Sequence, residues 1–455
     1  MNERLRYGAR RGAPWFVASL ATVVVLIMYA FAIEHAPEWL NPMLRGPSGA
    51  NLTSGERMTA THNARLLLVS IGGALVVLTG LAFTAVNYRL AHRGQATERF
   101  TKALERLGSE ELYIRIGGIH SLQRLLLDAA SLHSDIVEVL VAFVRDRSPR
   151  SSVDGHPDNP IWPRRPMPAE PAADVQAALT VIAGRPRRPE AHPVQLNFSG
   201  LDLRGVNLAG AWLDRVNFSG SRLDQADLSG AAMAESSLRR ARLTGARLEH
   251  AILDGADLAE ARFDGSCMVM TSLRSANLAK ACLVEAEASM ASFVSADARG
   301  AILDRAIMVR TELSGASLAG SSLVGAVLRN AFLYRTNLDE ASLDGADLFF
   351  AVLIGAQLRN AQLVGADLSA AALRGANLAG ANMERADLSG AGLMKANLSG
   401  VCMKGADLSR ANLLLVHGCT WEQVEEAAAT RRTWLPRRLA RRRAGRAAVE
   451  STLGT

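Results

Sequence analysis

From Leu196 to Leu415 the sequence keeps a beat of five residues without a slip, 220 residues in 44 units. The stretch ADLSGAGLMKANLSG, residues 386–400, shows the pattern at its plainest. The centre of each unit (198, 203, 208 and on to 413) is Leu, Phe or Met except at Ala288 and Ala298. Two positions earlier stands Ala in 32 of the 44 units, Ser, Thr or Val in ten, and Leu in two. Neither the 3.6 period of a helix nor the 2.0 period of a strand gives five. A chain with this beat must run straight for a few residues and then turn a corner. On an extended segment residues two apart point the same way, so the centre and its small partner face inward. The other three positions, where charges and glycines gather, face outward. Self-similarity at a fixed short period is the mark of a solenoid.

The expected core is a column of these centres, including Phe198, Leu203, Phe218, Leu258, Met268, Ala288, Met308, Leu348, Leu388 and Leu398. Asn or Asp often precedes the centre, as at Asn217, Asp227, Asn377, Asp387 and Asn397. Because these residues recur with the repeat, they are expected to hydrogen-bond turn backbone rather than to form a catalytic pair. The run of A(D/N)LxG units resembles the pentapeptide-repeat family over about half of the chain. That resemblance implies an all-β solenoid, a right-handed quadrilateral β-helix with 20 residues per coil and therefore 11 coils. At the ~4.8 Å spacing of paired strands, the rod would be about 50 Å long. Positions 20 apart would share a column. Ala288 would then lie between Met268 and Met308, adaptable side chains expected to lean into the space it leaves. Phe198 and Phe218 would stack.

Two apolar runs precede the repeats. Trp15–Ile33 and Leu66–Val86 carry no charge over 19 and 21 residues, and each has about the ~20 residues of a bilayer-spanning helix. The first is longer than the ~7–15 apolar residues of a cleaved signal. Arg4, Arg6, Arg10 and Arg11 precede it, and Arg89, Arg93, Arg99, Lys102 and Arg106 follow the second. This asymmetry predicts a hairpin, residues 1–93, in the inner (plasma) membrane with both termini cytoplasmic. Gly72, Gly73 and Gly80 would allow close helix packing. Neither span carries a charge to line a pathway, so an anchor is expected rather than a channel.

Residues 94–147 return to helical periodicity and predict three short helices in a small domain. Glu105 and Arg106 read as a solvated face. Seven prolines between Pro149 and Pro171 mark a linker, and a helix near 173–183 is expected to cap the open end of the solenoid, completing a segment over 148–195. At the other end Thr420-Trp421-Glu422-Gln423 has the form of a capping box. It predicts a covering helix of about ten residues ending near Thr430, within a cap over 416–430.

The surface chemistry argues against an enzyme. Histidines are scattered, no metal-binding or glycine-rich phosphate motif occurs, and no cofactor is expected. His417 and Cys419 are too few for a closed zinc site. The four cysteines lack any CxxC spacing, which suits a reducing compartment. The chain is thus expected to be a membrane-tethered scaffold that binds a protein partner of unknown identity. Some pentapeptide-repeat proteins protect DNA topoisomerase by imitating DNA, which gives the alternative of a regulator acting on nucleic acid or topoisomerase. Residues 196–415 hold 23 acidic and 21 basic residues, too near neutral to imitate a duplex. The charge asymmetry lies after the repeats. The tail 431–455 carries Arg431, Arg432, Arg437, Arg438, Arg441, Arg442, Arg443 and Arg446 with no acid among residues 431–446. It could contact anionic lipid or nucleic acid, or stay solvated.

Overall fold

The computed structural model describes residues 53–150, 170–186, 194–430, 432–442 and 444, with six positions between 27 and 35. The chain forms two compact units, residues 1–98 and 99–455.

In the first unit the dominant element is helix α1 (Ser54–Leu107), whose last residues belong to the second. The sequence predicted a span over 66–86 and a separate helix after 94. No proline interrupts the stretch, and a single internal Gly94 costs a helix only about 1 kcal/mol, so the two join. Leu67, Val76, Leu78 and Leu81 are all more than 60% exposed. Of the expected pair of membrane helices, the described residues hold one apolar candidate. Among the described residues only α1 is long and apolar enough to cross a bilayer, and the stretch 15–33 falls mostly outside them. Gly72 lies where Tyr29 packs against α1, and the Tyr29 hydroxyl donates to the Leu68 carbonyl.

The second unit opens with helices α2 (Leu112–Asp128), α3 (His133–Arg147) and α4 (Ala173–Ala183), with a 3-10 turn at Ala130–Leu132. Ile119, Leu122 and Leu126 pack in one core with Ile136, Leu140, Leu179 and Ile182. A buried ion pair locks α2 to α4: Arg115 Nε donates to Asp174 Oδ2 at 2.7 Å, while Nη1 serves the carbonyls of Ser109 and Glu110.

From Leu196 the chain winds as a square solenoid. Parallel bridges join residues 20 apart on four faces, beginning Asn197–Asn217, Asp202–Arg222, Asn207–Asp227 and Trp212–Ala232. The faces are named here by the first number of each. The unit centred on Leu253 shows the bonding. Ile252 N–H donates back to Ala231, Leu253 N–H forward to Ser272, and Gly255 N–H forward to Arg274. Ala256 N–H closes the corner onto the Leu253 carbonyl at 3.0 Å. That bond with φ +67° at Gly255 alone defines a type II turn. Each side has room for one bridging residue between corners, so the described residues hold isolated bridges and no longer strand. The expectation of an all-β solenoid is corrected to that extent. All ten expected core residues are at most 1% exposed. Phe198 and Phe218 stack with centroids 5.5 Å apart.

Both ends of the ladder are covered. On the first coil, Arg145 donates to the Asn197 carbonyl, Pro149 accepts from Asp202 N–H, and Ala183 accepts from Trp212 N–H. Gln176 takes both backbone groups of Asn207. After the last coil, α5 (Trp421–Glu426) starts with the capping box between Thr420 and Gln423. It is six residues long rather than ten, because Ala427 turns extended and Ala428 pairs with Asp407 as a further rung. Trp434 then pairs with Asn412, and Leu435 and Leu439 are buried. The cap therefore reaches into the arginine-rich segment.

Candidate interaction surface

Three positions per unit point outward, and the turn governs two of them. The last residue of every unit, 200 to 415, has φ between +54° and +71°. Glycine takes this position in 20 units and another residue in 24, Met290, Arg310 and Phe350 among them. In about half of the units the backbone N–H just before it is met by a side chain. Where Asn or Asp precedes the centre, in 17 of the 44 units, its side chain accepts that N–H, as Asp387 Oδ1 does from Ser389 at 2.8 Å. Where that residue is Ser322 or Gln362, an aspartate one coil earlier serves instead, Asp304 for Val324 and Asp344 for Val364. These polar residues belong to the turns.

An exposed apolar strip breaks this regularity on the 207 and 212 faces of the sixth to eighth coils. Ile307, Phe332, Tyr334 and Phe350 are 41%, 45%, 43% and 54% exposed, with Val327 and Val352 half-buried beside them. Phe349 and Phe350 meet edge to face, centroids 4.7 Å apart. The Arg329 guanidinium stands 5.2 Å from the Phe349 ring, and that of Arg335 5.0 Å from Tyr334. Arg329 also pairs with Asp347, whose hydrogen bond and charge raise its pKa above the ordinary arginine value. Beyond the strip, the 207 face continues as a column of aspartates, Asp347, Asp367, Asp387 and Asp407, one per coil. Each accepts the N–H two residues on.

Of the arginines singled out in the tail, Arg438 donates to the Cys419 carbonyl at 3.0 Å and Arg442 lies 3.5 Å from Glu422. Arg432, Arg437 and Arg441 are exposed. Arg431, Arg443 and Arg446 fall outside the described residues. Among the described residues no three His, Cys, Asp or Glu side chains gather as a metal site. His417 sits on the 197 face next to Asn397, and Cys419 is buried. The aromatic strip was missed from sequence. Its signal was present in the frame, since Phe332, Tyr334, Phe349 and Phe350 gather aromatic rings at outward positions mostly given to small or polar residues.

The model of the family described as pentapeptide repeats matches in eight copies, over residues 202–240, 241–279, 271–308, 311–349, 351–390 and 371–410. HetL of the cyanobacterium Nostoc sp. strain PCC 7120, a pentapeptide repeat protein involved in heterocyst differentiation regulation, is 33% identical. The match covers 47% of this chain and 92% of HetL, with a TM-score of 0.30. Rfr23 of the cyanobacterium Cyanothece 51142 is 31% identical over 28% of this chain and 63% of its own, with a TM-score of 0.16. QnrB1, a plasmid-mediated fluoroquinolone resistance protein, is 16% identical over 57% of this chain and 97% of its own, with a TM-score of 0.23. No curated protein matches the chain.

Proposed function

Because this chain belongs to the pentapeptide-repeat family, whose members are generally interaction or regulatory modules, we propose that it is a membrane-tethered scaffold that recruits a protein through the strip around Phe350. The observation that carries this reading is the contiguous exposure of Ile307, Phe332, Tyr334 and Phe350. Contiguous apolar patches on soluble surfaces mark contact sites, and aromatic residues with arginine are what interface centres favour. The rings stand on a ladder-bonded frame, so little order is lost when a partner seats on them.

Tethering is supported by α1 and by the arginines on its C-terminal side. In this reading the repeats lie on the cytoplasmic face of the plasma membrane. The scaffold carries out no catalysis. Imitation of DNA is disfavoured by the 23 acids and 21 bases of the repeats. The exposed Arg432, Arg437 and Arg441 add a weaker contact to anionic lipid or nucleic acid.

The test is affinity capture from crosslinked, detergent-solubilised and nuclease-treated membranes. The full chain is compared with F332D/F350D and with R432Q/R437Q/R441Q. Ending the chain at Thr430 would be a poor control, because it removes the buried Leu435 and Leu439. A protein captured by the full chain and by the arginine variant, but lost with F332D/F350D, supports the scaffold. Capture that disappears with nuclease, or only with the arginine variant, moves the function to the tail.

A further inference from the structure

The second unit holds a basic cleft that the scaffold reading leaves unused. It lies between the last turns of α1 and the C-terminal half of α2, has a volume of about 440 Å³, and is lined by Arg99, Lys102, Arg106, Ser121, Arg124 and Asp128 over Ala103 and Leu125. On α1 the three cations fall at i, i+3 and i+7, which places them on one face of a helix. On α2, Ser121, Arg124 and Asp128 repeat that spacing. The two helices can approach this closely because Gly118 of α2 faces α1. A Cβ there would stand 3.0 Å from both the Ala103 carbonyl and the Leu107 nitrogen. Ala103 and Leu125 are buried as an apolar floor, while Arg99, Lys102, Arg106 and Arg124 are exposed at the rim. Arg106 Nη1 reaches the Ser121 hydroxyl at 3.5 Å.

Four cations thus converge with a single carboxylate, and among the described residues Arg99, Arg106 and Arg124 make no ion pair. A structural need for this charge is met elsewhere. The last turn of α1 gains from one basic residue at its negative end, which Arg106 supplies, and that leaves Arg99 and Arg124 unexplained. Guanidinium forks match phosphate oxygens in pairs, and a cleft of this size admits a small anion. We infer that the cleft binds a phosphate-bearing anion. It follows the apolar stretch of α1 by 13 residues of chain, Val86 to Arg99, so an anionic lipid headgroup is one source, and a soluble phosphate compound is the other. The lipid source rests on the tethering proposed above, whereas phosphate binding does not.

The experiment uses full-length protein in detergent. Inorganic pyrophosphate is titrated calorimetrically, and retained phosphatidylglycerol is compared with phosphatidylcholine by native mass spectrometry. R99Q/R124Q removes two rim charges, and R374Q/R410Q removes two from the repeats as a control for net charge. The wild type and the control are expected to bind, with about tenfold or greater loss in R99Q/R124Q. Phosphatidylglycerol retention that follows the same order identifies a lipid source. Pyrophosphate binding without lipid selectivity identifies a soluble one, and stands even if the chain proves not to enter membranes. Absence of binding by both anions, or equal binding by R99Q/R124Q, overturns the inference.

Discussion

The Gln176 carboxamide pairs with both backbone groups of Asn207: Oε1 accepts from the N–H at 3.1 Å and Nε2 donates to the carbonyl at 2.8 Å. A side chain thus stands where a preceding coil would present its own peptide. Gln176→Ala should lower stability by about 1 kcal/mol and open a ladder edge to self-association. Chemical denaturation and light scattering read the two effects. Unchanged values for both would show that the pairing is incidental.

Arg115 and Asp174 form the buried ion pair of the helical part, with side chains 10% and 2% exposed. Asp174→Ala leaves a buried guanidinium without its carboxylate, which costs about 3–5 kcal/mol. Hydrogen exchange is expected to rise across residues 112–147 while residues 216–400 stay protected. Asp174→Asn, which retains an acceptor, should show a smaller rise.

Ala288 occupies a centre on the 207 face, with Met268 and Met308 one coil before and after it, all three at most 1% exposed. Methionines leaning into that gap, as the sequence predicts, would make Ala288→Leu overfill the column and lower stability by about 1–3 kcal/mol. A gain in unfolding temperature would mean instead that the column has an empty space.

Burial pushes the Cys419 thiol up to about 11, with Arg438 pulling the other way, whereas Cys402 is exposed. In the native state at pH 8, iodoacetamide should modify Cys402 and spare Cys419, reaching the latter only after unfolding. The linkage has a definite sign. The folded state favours the protonated thiol, so its contribution is intact below about 9 and is lost as pH rises through about 11. Cys419→Ser should flatten that alkaline loss, and an unchanged alkaline profile would remove the thiol as its cause.

The repeat frame was legible because each unit restates it. Leu258 and Leu348 are buried for the same reason, and one reading serves for both. The turn conformation was legible only where glycine marks it. Ser275 and Met290 take the same positive φ because ladder bonds on both sides fix the corner whatever residue sits there. Gln176 was not legible as a cap, since its partner lies 31 residues away and the match depends on how α4 meets the first coil. Arg106 read as solvated surface, and only the crossing at Gly118 puts it in a cleft. The aromatic strip lies between these cases. Its residues stand out once the outward positions are known, but their gathering across coils depends on the 20-residue stack.

That stack also sets the unit in which the molecule can change length. Every outward residue is aligned with the one 20 positions away. An insertion or deletion of five residues leaves the core in frame, yet it carries every later column a quarter-turn around the axis. Losing one unit before Ile307 would leave Phe332, Tyr334 and Phe350 adjacent to one another but facing a new direction. Losing four units would leave them facing as before, one rung nearer the N-terminal cap. Deletions counted in fives therefore steer the aromatic strip, and those counted in twenties slide it.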